Sequence, residues 1–193
     1  EEIWEQQLSE YDKCIRSSKL VVFNWFGTPC VHVCEKYGLP AIALWPIPWT
    51  RTSAFPSLLF SSPKMQHCGE RFGFAESHIF WDKLFWSASK VPILKWRLKH
   101  HLPTCDMPLT GHFGLIRERK VPILNCFSEA VVPRPPDWPK ENVITGFVRE
   151  RGGLKASIPK KIISLVNVKK HVVYIGFGSA CRCLEKPKEV LML

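Results

Sequence analysis

Residues 19–45 of the chain read KLVVFNWFGTPCVHVCEKYGLPAIALW, and this stretch decides the class of fold. The apolar residues at its beginning and at its end predict two short strands. Between them, Thr28 and Pro29 predict the start of a helix, as N-cap and first helical residue, and Gly38 predicts its end. With an amphipathic helix predicted over residues 1–17, the alternation of helix and strand indicates an α/β fold in which helices cover a parallel sheet.

The remainder of the chain continues this alternation around one long irregular segment. Residues 46–73 contain four prolines, several serines and aromatic residues without a period, which predicts a packed binding loop. A helix should begin at Ser77 and should break or kink at Pro92, because proline cannot donate a backbone hydrogen bond. Three further strands are predicted at residues 121–127, 143–147 and 171–176. A short helix is predicted at residues 158–166.

The charge of the chain restricts its partners. It has 27 Lys and Arg against 17 Asp and Glu, a formal net charge of +10, which favours acidic partners or an anionic membrane surface. The basic residues lie in short scattered groups, unlike those of a nucleic-acid-binding surface. No run of apolar residues is long enough to span a membrane. We therefore expect a globular, cytoplasmic protein that contacts membranes only peripherally and does not bind nucleic acid.

The eight cysteines predict neither disulfides nor a metal site. Cys30 and Cys34 lie four residues apart on one predicted helix, and Cys181 and Cys183 are closer in sequence than zinc ligands usually are. Most of the other cysteines have apolar neighbours. Buried free thiols in a reducing compartment are therefore the expected state, with no metal and no bound cofactor.

A glycine-rich turn follows the last predicted strand. Residues 171–179 read HVVYIGFGS, and the glycines end the strand abruptly. Backbone N–H groups in such a turn, ahead of a helix, can bind a phosphate. The same pattern also occurs as a tight turn that binds nothing, so the residues alone leave both interpretations open.

Three segments, taken together, carry a resemblance to a known family. They are GLPA and IPWTRT with the following FP, within residues 38–56; FSEAVVPRPPDWP and VITGF, within 127–147; and VYIGFGS, at 173–179. In this order and spacing they resemble the sterol 3-beta-glucosyltransferases, the lipid-directed branch of the UDP-sugar-dependent glycosyltransferases. The PWTRT form is similar to fungal and protist members. The resemblance covers roughly residues 4–179.

The resemblance implies a GT-B fold, in which two Rossmann-like domains face a cleft. It implies that residues 1–147 are part of the N-terminal acceptor-binding domain, that 148–170 form the interdomain linker region, and that 171–193 begin the C-terminal UDP-sugar-binding domain. The chain starts with Glu1 rather than methionine, so we expect an internal fragment of a longer protein. The family's catalytic base should lie upstream of Glu1, which leaves no catalytic residue in this chain.

The resemblance also implies the reaction, the transfer of a hexose, expected to be glucose, from a UDP-sugar co-substrate to the 3-hydroxyl of a sterol or similar lipid. A truncated or degenerate remnant that binds lipid or a partner without catalysis is the alternative. The donor diphosphate should contact Gly176, Gly178 and Ser179.

The acceptor side should include Trp49, Thr50 and Arg51. These residues follow the carboxyl end of a predicted strand, where open α/β sheets place ligands. Trp49 would offer an apolar wall to a flat sterol and Arg51 would approach the diphosphate. Core packing of Trp49 and a carboxylate partner for Arg51 remain open as alternatives. Asp137 and Trp138 are assigned to structure, because a proline-rich segment restricts the chain and rarely carries chemistry.

Overall fold

The computed structural model describes residues 2–60, 73–104, 108–149, 158–168 and 171–173. The chain divides into two units, Glu1–Val148 and Arg149–Leu193. The second unit contributes one described helix, Lys160–Val168, close to the predicted short helix. The sheet and the remaining described helices belong to the first unit.

The first unit is built on a four-stranded, fully parallel sheet, which confirms the predicted α/β fold. The strands lie side by side in chain order, so that Phe23, Ala43, Ile123 and Asn142 form one row across the sheet. The strands are β1 (Val21–Asn24), β2 (Ala41–Trp45), β3 (Ile123–Asn125) and β4 (Asn142–Ile144).

Four helices of the first unit pack together over one face of this sheet. They are α1 (Glu2–Ile15), α2 (Cys30–Tyr37), α3 (Phe74–Lys99) and α4 (Gly111–Glu118), and the helix of the second unit is α5. Phe23, Ala43 and Ile123 share one buried core with side chains of these four helices. On the opposite face, Val22 and Val143 are 57% and 47% exposed. The described residues therefore cover one face of the sheet, although parallel sheets are ordinarily covered on both.

The predicted end of α2 is correct, whereas its predicted N-cap is not. Gly38 ends the helix in the left-handed conformation, at φ 62°, and its N–H donates to the carbonyls of Cys34 and Glu35, as predicted. At the other end, the predicted Thr28 cap is wrong. Pro29 takes the cap position, and no side chain caps the helix.

Helix α3 runs from Phe74 to Lys99 without interruption, so a break at Pro92 is wrong, whereas the alternative of a kink there stays a prediction. Proline inside a helix costs about 3 kcal/mol. The residues that follow it, Ile93 and Trp96, are buried in the same core, and burying each large apolar side chain contributes about 1.5–3 kcal/mol. The free energy gained by burying these two side chains on a continuous helix therefore exceeds the cost of the proline.

The start of α3 also differs from the prediction. Ser77 lies inside the helix, where its hydroxyl donates to the carbonyl of Phe74 at 2.6 Å. The same hydroxyl accepts a hydrogen bond from the Ser57 N–H at 2.8 Å. Ser77 thus connects α3 to the loop after β2 instead of capping the helix.

A buried ionic network centred on Arg97 joins α2 and α3. The Arg97 guanidinium donates to both carboxylate oxygens of Glu35, at 2.6 and 3.1 Å, to the Pro103 carbonyl at 2.8 Å and to His32 Nδ1 at 3.0 Å. Arg119, after α4, also pairs with Glu35, at 2.6 Å. Burial raises the pKa of Glu35, but Arg97 and Arg119 outweigh it and hold that pKa below its usual value.

Two buried histidines next to this network make stability depend on pH. Burial lowers the pKa of His32 well below its usual value, with His112 and Arg97 adding to the effect, and burial lowers the pKa of His112 to about 3. Both rings stay neutral in the folded chain near neutral pH, whereas in the unfolded chain they bind protons below about pH 6.5. Their contribution to stability is therefore complete above pH 6.5 and is lost as the pH falls toward the folded values.

We expect His112→Gln to reduce the acid sensitivity of folding. Between pH 7 and pH 5, the free energy of unfolding should fall by about 2 kcal/mol less in this variant than in the wild type. Other titrating groups, including Glu35, are present in both proteins and cancel in the comparison. Urea unfolding at the two pH values measures the difference, and an equal fall in both proteins would contradict the role of His112.

Candidate functional site

A cavity of about 410 Å³ lies beneath the loop that follows β2. Its lining comes from residues 49–52 of that loop, from α3 and α4, and from the beginnings of β3 and β4. Trp45, Phe113 and Ile116 contribute buried apolar walls. The volume falls within the range of small-molecule sites. The strand residues that border the cavity are Trp45 at the carboxyl end of β2 and Ile123 and Asn142 at the amino ends of β3 and β4.

The three residues predicted on the acceptor side, Trp49, Thr50 and Arg51, all line this cavity. Trp49 is only 7% exposed and packs against Trp25, Phe85 and Phe113, with ring centroids 4.5, 5.8 and 6.2 Å away. Trp49 therefore packs in the core, as the alternative predicted, and also forms part of the cavity wall. The role of these residues toward an acceptor stays a prediction.

Arg51 has its side chain at the solvent-exposed edge of the cavity. Among the residues that the structure describes, no carboxylate forms an ion pair with it. The alternative of a carboxylate partner for Arg51 thus finds no support within these residues. Its guanidinium remains available to an anionic group at the cavity mouth.

Asp137, from the proline-rich segment before β4, holds the loop in place. Its carboxylate accepts hydrogen bonds from the Thr52 hydroxyl at 2.6 Å, the Ser53 N–H at 2.6 Å and the Ser53 hydroxyl at 2.8 Å. Slight burial raises the pKa of Asp137, but these hydrogen bonds outweigh it and keep that pKa below its usual value. On the α3 side, the His78 ring lies 3.2 Å from the Phe55 carbonyl. Contacts from two sides therefore fix an irregular loop above the cavity.

Asp82 is the residue that sequence reasoning missed. Its side chain lines the cavity from α3 and is only 6% exposed. Burial raises its pKa to about 7, while Arg117, the Trp49 indole and Arg51 act in the opposite direction. A buried acid with a pKa near neutrality beside a cavity indicates a functional group. The available signal was its spacing, because Asp82 lies four residues from both His78 and Trp86 on the buried stripe of the helix.

Three polar atoms of the cavity lining are buried without a hydrogen-bond partner among the described residues. They are the Trp49 Nε1, the Thr50 Oγ1 and the Asn142 Nδ2. Folded proteins leave few buried polar groups unpaired, and a bound molecule is one explanation for a group of them. The Trp49 and Asn142 atoms donate hydrogen bonds, and the Thr50 hydroxyl donates or accepts. A wall that is apolar over most of its area, and that also carries these unpaired polar atoms and several charged side chains, suits an apolar ligand that has hydroxyl or carbonyl oxygens.

The predicted donor-side residues Gly176, Gly178 and Ser179 lie outside the described residues. So does most of the predicted strand 171–176, of which only residues 171–173 are described, without strand structure. The predicted division into domains likewise stays a prediction.

The described cysteines are free, and their burial differs from the prediction in two cases. Cys30 and Cys34 are buried as predicted, whereas Cys14 on α1 is exposed and Cys126 is only half-buried. Within the described ranges, no group of three or more His, Cys, Asp or Glu side chains is placed to hold a metal ion. Of the described helices, none combines the length and apolar character needed to cross a bilayer.

Comparisons with known proteins agree with the three motifs. No family model matches the chain. Over 179 residues, or 89% of the chain, it is 31% identical to a sterol 3-beta-glucosyltransferase of Neurospora crassa, of which it covers 11%. It is 29% identical to a sterol 3-beta-glucosyltransferase of Candida albicans, over 77% of the chain and 10% of the relative.

A relative outside the fungal proteins has a broader name. The UDP-sugar-dependent glycosyltransferase 52 of Dictyostelium discoideum is 31% identical over 77% of the chain and 9% of the relative. The chain therefore spans about a tenth of the length of the curated relatives that it matches.

Proposed function

This chain is related in sequence to a segment of the sterol 3-beta-glucosyltransferases, and on that premise we propose that its first unit binds the lipid acceptor of a UDP-sugar-dependent glycosyltransferase. The complete protein would transfer a hexose, which we propose to be glucose, to the 3-hydroxyl of a sterol or similar lipid. One observation carries the proposal. Two of the segments that carry the resemblance, at Trp49–Thr52 and at Asp137–Pro139, line the same cavity and are joined by hydrogen bonds between Thr52, Ser53 and Asp137.

The chemistry of the cavity supports an acceptor of this kind. A sterol is a flat, largely apolar molecule with a hydroxyl at one end, and it would gain most of its binding free energy by leaving water. Trp45, Phe113 and Ile116 offer apolar contact area. The exposed cations Arg51 and Arg117 lie at the edge, where an anionic diphosphate would approach.

For the donor side, the proposal rests on sequence alone. Gly176, Gly178 and Ser179 would offer backbone N–H groups and a hydroxyl to the diphosphate of the UDP-sugar. Such donors stabilise the negative charge that grows on the leaving group as the glycosidic bond breaks. The net charge of +10 supports peripheral contact with an anionic membrane, from which a cytoplasmic enzyme would take its lipid.

The acceptor site can be tested by crosslinking on the chain itself. A cholestanol derivative with a photoreactive diazirine, delivered from cyclodextrin, should label peptides that contain loop residues 49–52 and residues 113–123. Ala75→Phe places a ring against the cavity from α3, and we expect it to weaken labelling about tenfold, equivalent to about 1.4 kcal/mol of binding free energy. Ala130→Phe, at an exposed position that does not line the cavity, is the matched control. Labelling that spreads over the surface, or that both variants leave unchanged, would exclude the proposed site.

A further inference from the structure

We propose that Asp82 and the indole N–H of Trp49 together bind a hydroxyl group of the ligand, and that this pair selects an alcohol over the corresponding ketone. The inference rests on the proposed acceptor site and identifies the polar group that the site recognises.

The two side chains are complementary to a hydroxyl group. Asp82 lines the cavity from α3, and Trp49 lines it from the loop. The Trp49 N–H lies close enough to the Asp82 carboxylate to offset part of the rise in its pKa, but the two groups do not meet the geometry of a full hydrogen bond, and Trp49 Nε1 has no other partner among the described residues. An ionised carboxylate only accepts hydrogen bonds and an indole N–H only donates them. A hydroxyl oxygen placed at both groups satisfies both, because it donates to one and accepts from the other.

A ketone in the same place can form only one of these two hydrogen bonds. Its oxygen accepts a hydrogen bond from Trp49 but has no proton to offer the buried carboxylate, which would receive no hydrogen bond from the ligand. Leaving a buried charged group without its partner costs about 1–3 kcal/mol or more, about tenfold to a hundredfold in affinity. Sites built to hydrogen-bond a hydroxyl discriminate strongly against analogues that lack it.

The protonation state of Asp82 controls this selection. Above its pKa of about 7 the carboxylate accepts only, whereas below that value the acid can also donate a hydrogen bond to a ketone. The charged and titratable groups around it are His78 on the same helix, Arg51 on the loop, Arg117 and Lys120 in and after α4, and Asp137 and Glu141 before β4. His78 has its pKa lowered by burial and therefore stays largely neutral above pH 6.5.

The test compares two ligands that differ only at carbon 3, cholestanol with a hydroxyl and cholestanone with a ketone. Their dissociation constants for the 193-residue chain are measured at about pH 8.5 and about pH 6, either side of the Asp82 pKa. For the wild type we expect a preference of about tenfold or more for the alcohol at the higher pH and a smaller preference at the lower pH. Asp82→Asn should remove both the preference and its pH dependence, because an amide accepts and donates. Glu118→Gln, an exposed acid on α4, should behave as the wild type.

The outcomes separate this inference from the proposed function. If neither ligand binds, the acceptor site itself is wrong and the inference falls with it. If both ligands bind but the wild type shows no preference, or Asp82→Asn keeps the preference, the hydroxyl contact is wrong and the acceptor site remains.

A stability measurement distinguishes a binding role from a structural one. A carboxylate whose folded pKa is raised costs stability as the pH rises from its unfolded pKa of about 4 to its folded pKa, and the full cost is present above the folded value. Asp82→Asn should therefore unfold at a higher urea concentration than the wild type at about pH 8.5. A lower midpoint would mean that Asp82 supports the fold, and would contradict the inference.

Discussion

Arg97→Met should lower the free energy of unfolding by about 3–5 kcal/mol, the usual cost of removing one partner of a buried ion pair. Methionine keeps much of the apolar stem of arginine but leaves the Glu35 carboxylate, the Pro103 carbonyl and His32 Nδ1 without the donors that Arg97 supplies. Arg119 still reaches Glu35, but with its side chain 44% exposed it cannot replace the buried two-pronged contact. Urea unfolding followed by circular dichroism measures the loss.

Lys99→Met is the matched control for this prediction, because Lys99 is an exposed cation two residues further along the same helix. It should change stability by no more than about 0.5 kcal/mol. The effect of Arg97→Met should also shrink in acid. The pKa of Glu35 is lowered in the folded chain, so the stability that its ion pair supplies is present above the unfolded pKa and disappears as the pH falls through the folded value. Equal losses in both variants near neutral pH would contradict a structural role for the network.

Among the glycines that the structure describes, Gly111 should be the most damaging to replace with alanine. Gly111, the first residue of α4, has φ +55°, and an added Cβ would lie 2.1 Å from Cδ2 of the buried Trp86 ring. A side chain in the left-handed region costs about 1–2 kcal/mol, and displacing a packed ring adds about 1–3 kcal/mol. We therefore expect a loss of about 2–5 kcal/mol in the free energy of unfolding.

Gly38→Ala separates the two contributions to this loss. Gly38 has nearly the same backbone angle, φ +62°, but an added Cβ would meet no atom within 4 Å. It should cost only the backbone term, about 1–2 kcal/mol. The two variants are compared by thermal or urea unfolding under one set of conditions. If they lose the same amount, the contact with Trp86 carries no cost and the packing argument is wrong.

The parts of the fold that depend on local signals could be predicted from the sequence. The strands on either side of α2, and Gly38 at its end, follow from apolar runs and from the one residue that readily adopts a positive φ. The continuity of α3 could not be predicted, because it depends on Ile93 and Trp96 being buried by other elements. The same limit explains the missed ion pair, since Arg97 and Glu35 are distant in sequence and meet only when α2 packs beside α3.

The candidate site could likewise be predicted only in part: the residues of a motif were found, and a residue placed there by the folding of the chain was not. The PWTRT motif located Trp49, Thr50 and Arg51, and the structure places all three in one cavity. Asp82 belongs to no quoted motif, and an acid in a helix usually faces water. Only the folded chain shows that this acid faces a cavity beside Trp49. Its spacing within an apolar stripe of the helix was the one sequence signal.

The sheet order also has a consequence for how the chain is made. Strands β1 and β2 pair across a short helical connection and can assemble soon after they leave the ribosome, whereas residues 46–122 must be synthesised before β3 can pair with β2. At translation speeds of about 5–20 residues per second, this delay lasts roughly 4–15 s. Throughout it, β2 presents an open edge with Ile42 and Leu44, the kind of edge on which nascent chains associate wrongly. The speed of translation across residues 46–122, and chaperone contact during that time, should therefore influence the yield of folded protein. Synonymous codon changes within the strands themselves should influence that yield less.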